Sequence, residues 1–207
     1  MNLKEKTSGA IMGRIFLSSM FLLTAAVGAD APQNKVLPLP GECFKVEGCP
    51  VFVILPSSEH ILTNRSQPWV WYAPTLPNLP GAEERGMFKR FLDNGIAIAG
   101  IDVGESYGSP QGRAHFVAFY QELIGKRGFS RKPVLLARSR GGLMLYNWAA
   151  EHPESVGGIA GIYPVCNIRS WPGLKAACGA YGLTEAELDA QLARNNPIDR
   201  LGGNMGS

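Results

Sequence analysis

One serine, Ser139, stands in Ala137-Arg138-Ser139-Arg140-Gly141-Gly142, between two arginines and just ahead of two glycines. The short apolar run Pro133-Val134-Leu135-Leu136-Ala137 precedes it and reads as a buried strand. The longer Leu143-Met144-Leu145-Tyr146-Asn147-Trp148-Ala149-Ala150, apolar nearly all round and without Gly or Pro, reads as a buried helix. A serine on a sharp strand-to-helix turn has its hydroxyl lifted clear of the sheet, and the helix N-terminus beneath it favours developing negative charge. The pattern for such a nucleophile elbow is Gly-x-Ser-x-Gly, and here Ala137 replaces the first glycine. The alternative is a Gly-rich turn of another parallel-sheet protein in which Ser139 only caps the helix.

Around this turn the chain alternates. Glu42-Cys43-Phe44-Lys45-Val46 and Pro50 to Leu55 flank a Glu47-Gly48 turn and predict an antiparallel hairpin. Trp69 to Ala73, bounded by Pro68 and Pro74, predicts a strand, and a helix is expected over Ala82 to Asn94 with Gly95 ending it. Ile96 to Ile101 is a further strand, followed by the Gly-rich loop Asp102 to Ser109. A second helix carries Phe116, Val117, Tyr120, Leu123 and Ile124, and beyond the elbow helix Gly157 to Tyr163 forms another strand. The expected fold is α/β: a three-layer αβα sandwich on a mostly parallel sheet that opens with an antiparallel hairpin. Pro164 to Gly182 is rich in Gly, Pro and aromatics, and Tyr163, Trp171 and Tyr181 offer aromatic faces for stacking on sugars or, equally, for packing this stretch. Thr184 and Glu187 then form a capping box, with Leu183 and Leu188 placed as its hydrophobic staple.

The 207 residues fit one core, and a formal charge of +3 with no basic, aromatic-interleaved cluster is too small to argue for a nucleic-acid partner, so none is expected. Lys4, Lys6 and Arg14 precede the short apolar stretch Ile15 to Val27 and a small-x-small site at Val27-Gly28-Ala29. This predicts a signal peptide over residues 1–29 cleaved after Ala29, and a secreted or periplasmic product with no stable membrane span. The expected organisation is then a linker over 30–41, a domain over 42–201 with a lid-like segment at 163–195, and a disordered tail over 202–207. In an oxidising compartment Cys43, Cys49, Cys166 and Cys178 could form two disulfides in any of three pairings, Cys43–Cys49 with Cys166–Cys178 being the simplest. No Cys-x-x-Cys, phosphate loop or dinucleotide fingerprint is present, so no metal and no cofactor is expected. Asn64-Arg65-Ser66 matches a glycosylation sequon.

The hairpin, the two helix–strand units and the Ser139 turn together resemble the α/β-hydrolase superfamily of serine esterases, lipases and peptidases, over about Glu42 to Asp199. The resemblance implies a serine nucleophile at Ser139 and ester, less often amide, hydrolysis through an acyl-enzyme. It implies an oxyanion hole from the N–H of Arg140 and of a residue in the loop after the third strand. In Pro74-Thr75-Leu76-Pro77 the prolines have no N–H, which leaves Thr75 and Leu76, and the Thr75 hydroxyl offers an extra donor. The Ser139-Arg140 pair resembles glucuronoyl esterases, which implies anionic or polyhydroxylated ester substrates, although no lysine follows the glycine here. Arg140 reads equally well as a surface arginine at the helix start. Arg138, Glu105 and Tyr107 are expected to line the substrate cleft. For Arg138 the alternative is a pair with Asp102 or Glu105, and for the other two it is loop packing. Asp102 is expected to hold the Gly-rich loop.

The superfamily order is Ser, then an acid, then His. The expected acid- and histidine-bearing strands are not found after Tyr163, and His152 falls at the far end of the elbow helix. His60 and His115 have no family counterpart as a base, and Asp189 and Asp199 follow no buried strand. The sequence therefore predicts a truncated, weakly active or inactive hydrolase. The alternative is a non-catalytic binding module of the cell envelope that uses the same cleft.

Overall fold

The computed structural model describes residues 35–59 and 65–201. The signal-peptide, tail, His60 and Asn64 expectations lie outside the described residues. Six strands form one sheet: β1 (Glu42–Val46), β2 (Cys49–Ile54), β3 (Trp69–Ala73), β4 (Ala97–Ile101), β5 (Val134–Arg138) and β6 (Gly158–Ile162). Their order is β1-β2-β4-β3-β5-β6. The pairs β1–β2 and β2–β4 are antiparallel and the others parallel.

The connections put helices on both faces. α1 (Arg85–Asp93) carries the chain from β3 to β4 in one direction. α2 (Pro110–Lys126) and α3 (Gly141–Glu151) carry it back past β3 to β5 and β6. Because such crossovers are right-handed, reversing direction moves the helix to the opposite face. Packing follows the strand alternation. On β3, Trp69 and Trp71 face α2 and α3 among Phe116, Phe119, Tyr120 and Trp148. Val70 and Tyr72 face α1 and Phe88. Each helix starts or stops where its residues dictate. Ser109 Oγ accepts from Gly112 N–H (3.3 Å) with Pro110 at the first helical position, and Gly95, at φ 73°, takes the left-handed turn after α1.

The region after β6 is more regular than its composition predicts. It holds α4 (Leu174–Tyr181), α5 (Glu185–Ala190), α6 (Leu192–Asn195) and α7 (Pro197–Arg200). Thr184 and Glu187 form the capping box of α5, with Thr184 N–H donating to Glu187 at 2.8 Å, and Leu183 packs in the same cluster as Leu188. Ile168, Ala177, Leu188 and Leu192 close over Leu143. α3 is therefore buried all round, because it lies between the sheet and this additional layer.

The local disulfide pairing is not formed, and all four cysteines are free. Cys43 pairs in register with Phe52, and Cys49 with Val46, so the two lie three rows apart along the hairpin. They also lie on opposite faces, Cys43 against the α1-side core and Cys49 against the α2/α3-side core. At about 3.4 Å per row this exceeds disulfide reach. Cys166 and Cys178 pack in different clusters as well.

Candidate active site

Ser139 occupies the turn between β5 and α3 with φ +50°, a left-handed conformation that a non-glycine residue adopts at a cost. Three backbone hydrogen bonds hold it there. Its N–H donates to Ile162 O (3.0 Å), and its carbonyl accepts from Gly142 N–H (3.1 Å) and Val165 N–H (2.8 Å). Leu143 N–H closes onto Arg140 O at 3.1 Å. The glycines after the serine are steric requirements. A Cβ on Gly141 would lie 2.1 Å from Ala73 O, and one on Gly142 would lie 2.4 Å from Val165 O. The start of α3 is thus pressed against the end of β3, where the loops after β3 and β5 leave toward opposite faces of the sheet. Open parallel sheets bind ligands at such a switch point.

Arg140 N–H has no backbone partner among the described residues and opens the helix N-terminus beside Ser139. The loop after β3 is less available than the sequence predicts. Leu76 N–H donates to Leu79 O (3.1 Å) and Leu79 N–H returns to Leu76 O (3.0 Å), so the Leu76 donor is spent within its own turn. Thr75 is buried and bridges to Asp102 on the β4 side. Its hydroxyl points to Tyr72 O (3.4 Å) and fills the space left by Gly100, where a Cβ would lie 2.3 Å from it. The expected extra hydroxyl donor is therefore turned into the sheet, away from the cleft. The same loop is pinned by Lys35, whose Nζ donates to Leu79 O (2.7 Å) and to Leu76 O. Burial lowers the Lys35 pKa, against the opposing attraction of Asp102.

Two ion pairs flank the serine. Arg138 pairs with Glu84, not with Asp102 or Glu105, because its side chain leaves β5 on the α1 face. Glu84 is buried, 3% exposed, and its carboxylate also accepts from Tyr72 OH (2.9 Å) and Gly81 N–H (2.7 Å). The Arg138 Nε–H donates to Tyr163 OH at 3.0 Å, and that bond, with the Tyr72 hydroxyl, raises the guanidinium pKa against the cost of burial. Tyr72 is held well above the usual phenol value by burial and by Glu84. On the other side Arg140 pairs with Glu105 in the loop after β4, and its guanidinium lies 5.0 Å from the Trp171 ring centroid. Tyr107 meets Trp171 edge-on at 5.6 Å, and its carbonyl accepts from Tyr181 OH (2.9 Å), so Tyr107 holds the wall together. Asp102 accepts from Gly104 N–H at 2.9 Å and so shapes the loop that carries Glu105.

Glu84, Tyr163, Trp171 and Lys35 complete this arrangement, and of these the sequence assigned neither Glu84 nor Lys35 to the site. Glu84 reads there only as an acid in a helical first turn, and Lys35 as part of a linker. Neither described histidine is seen to touch Ser139. His152 caps the far end of α3, about 16 Å along the axis at 1.5 Å per residue. His115 has its Nδ1 3.4 Å from Glu47, beside a cavity of about 350 Å³ shared with Asp102, Glu105 and Ser106. Among the described residues no group of three or more His, Cys, Asp or Glu could hold a metal ion, and no helix is long and apolar enough to cross a membrane.

No family model and no curated protein matches the sequence. Solved structures do match the fold. A prolyl endopeptidase superposes with a TM-score of 0.57 at 17% identity, over 78% of this chain and 27% of its own. A carboxylesterase from Lactobacillus plantarum gives 0.54 at 14%, over 72% and 65%. The S-formylglutathione hydrolase of Staphylococcus aureus gives 0.58 at 11%, over 79% and 72%. The chain thus spans about a quarter of the endopeptidase and about two thirds of the carboxylesterase. All three are α/β-hydrolases, and the six-stranded sheet described here is part of that fold.

Proposed function

We propose that this chain is an exported serine hydrolase that cleaves carboxylic esters through an acyl-enzyme at Ser139. The observation that carries the reading is the left-handed Ser139 at the β5–α3 turn, beside the open N–H of Arg140. The fold shared with esterases and peptidases supports it. The hydroxyl would attack the ester carbonyl, the alkoxide leaves with a proton, and water then releases the acid. In this reading the histidine that takes the serine proton lies outside the described residues. Carbohydrate-linked esters are the favoured substrates, because Tyr163 and Trp171 place aromatic faces beside the two arginines.

A second reading, a non-catalytic binding module of the cell envelope, is favoured by one observation: neither described histidine is seen in contact with Ser139. A fluorophosphonate probe separates the two. Labelling of the wild-type chain that is lost in Ser139→Ala shows an activated hydroxyl and a hydrolase lineage. No labelling at millimolar probe leaves the binding module or a hydrolase chain without its base. Turnover of a short-chain aryl ester by residues 1–207 is expected to be negligible. Efficient turnover lost in Ser139→Ala would place the base within this chain.

A further inference from the structure

The two arginines beside Ser139 are neutralised in different ways. Glu84, which holds Arg138, is 3% exposed and accepts three donors, so that pair is fixed. Glu105, which holds Arg140, has a side chain 38% exposed and sits in a loop, and Arg140 itself is 35% exposed. One face of the Arg140 guanidinium is covered by Trp171, which fixes the charge in place whether or not Glu105 is paired to it. From this juxtaposition we infer that Glu105 is the specificity-determining residue of the cleft: its carboxylate cancels Arg140 and makes the site select uncharged ligands over carboxylates. The inference rests on the reading of the Ser139 cleft as the ligand site, but it concerns binding and does not require the serine to react.

The physical argument is a competition. A ligand carboxylate arriving at Arg140 must displace one already present and meets the negative charge of Glu105. A neutral hydroxyl or amide meets no such repulsion. Replacing Glu105 by glutamine keeps the shape and a hydrogen-bonding group but uncovers the guanidinium. For a half-exposed charge this changes carboxylate affinity by about tenfold at low salt, and the gain shrinks as ionic strength rises.

The experiment titrates cyclohexanecarboxylate and its neutral isostere cyclohexanecarboxamide into the full chain, reading the Trp171 indole N–H by NMR. Trp171→Phe assigns the resonance. In wild-type protein the two ligands are expected to bind with similar Kd, or the amide more tightly. In Glu105→Gln, and equally in Glu105→Ala, the carboxylate is expected to gain about tenfold over the amide. The gain should fall severalfold in 0.5 M NaCl and vanish in the Glu105→Gln/Arg140→Gln double variant. An unchanged ratio in both Glu105 variants overturns the inference, as does a tenfold carboxylate preference in the wild type or a Glu105→Gln protein that binds no carboxylate. Binding is read with Ser139 intact and unreacted. A failed fluorophosphonate experiment would therefore count against hydrolysis alone, and an unchanged ratio against Glu105 alone.

Discussion

Glu84 and Arg138 form an ion pair that joins the end of the loop after β3 to the last residue of the strand that leads into Ser139. The same carboxylate accepts from Tyr72 OH and Gly81 N–H, so one buried group fixes the strand, the loop and the elbow together. Removing it would leave a guanidinium, a phenol and a backbone N–H without their acceptor. Glu84→Ala is therefore expected to cost about 3 kcal/mol, reduced from the fully buried case because Arg138 is partly solvated. Glu84→Gln should cost about half as much. Urea denaturation of the three proteins measures this, and equal stability would mean that the pair holds nothing.

That pair also shows what could be read from the chain and what could not. Most strands were legible as short apolar runs bounded by Pro or Gly, and β3 spans the same residues, Trp69–Ala73, in sequence and structure. The turn at Ser139 was legible because a buried strand and a buried helix have only a few residues between them. Glu84 was not, since an acid at a helix start carries the same local pattern whether it faces water or a buried arginine. The arginine's partner depended on which face of β5 its side chain leaves, and that is set by register with β3 and β6. The helix that starts at Thr184 was legible from its capping box, but α4 and α7 were missed for a related reason. They are eight and four residues long and are held by packing over α3, with little helical periodicity of their own.

Backbone strain at the elbow has a measurable sign. Ser139 at φ +50° carries a penalty that glycine does not, so Ser139→Gly is expected to raise stability by about 1 kcal/mol while abolishing any probe labelling. Ser139→Val, with a β-branched side chain in the same conformation, should lower it. Thermal unfolding of the pair decides the matter, and a destabilised Ser139→Gly would refute the strained elbow.

Two glycines on helices should respond oppositely to alanine. Gly141 faces the Ala73 carbonyl at a distance no Cβ can accept, and the neighbouring atoms are backbone, so Gly141→Ala is expected to cost about 3 kcal/mol. Gly125 in α2 has open space at its Cβ position, and Gly125→Ala should stabilise by about 0.5–1 kcal/mol through helix propensity. Chemical denaturation that found both changes neutral would remove the close approach of β3 and α3 as the feature that builds the cleft.

The cysteines give a prediction that holds in either compartment. Cys43 and Cys49 sit on opposite faces of the hairpin and cannot be joined without unpairing it. Protein recovered from an oxidising compartment and denatured without reductant should therefore still release the Cys43 and Cys49 thiols to Ellman's reagent. In the native state the reaction should be slow. Burial raises the pKa of Cys43, Cys49 and Cys166, so their thiolate fraction at pH 8 is below that of an ordinary cysteine, and reactivity should climb only as pH rises further. Mass mapping that found Cys43 linked to Cys49 would require a different register for the hairpin, and with it a different edge for the whole sheet.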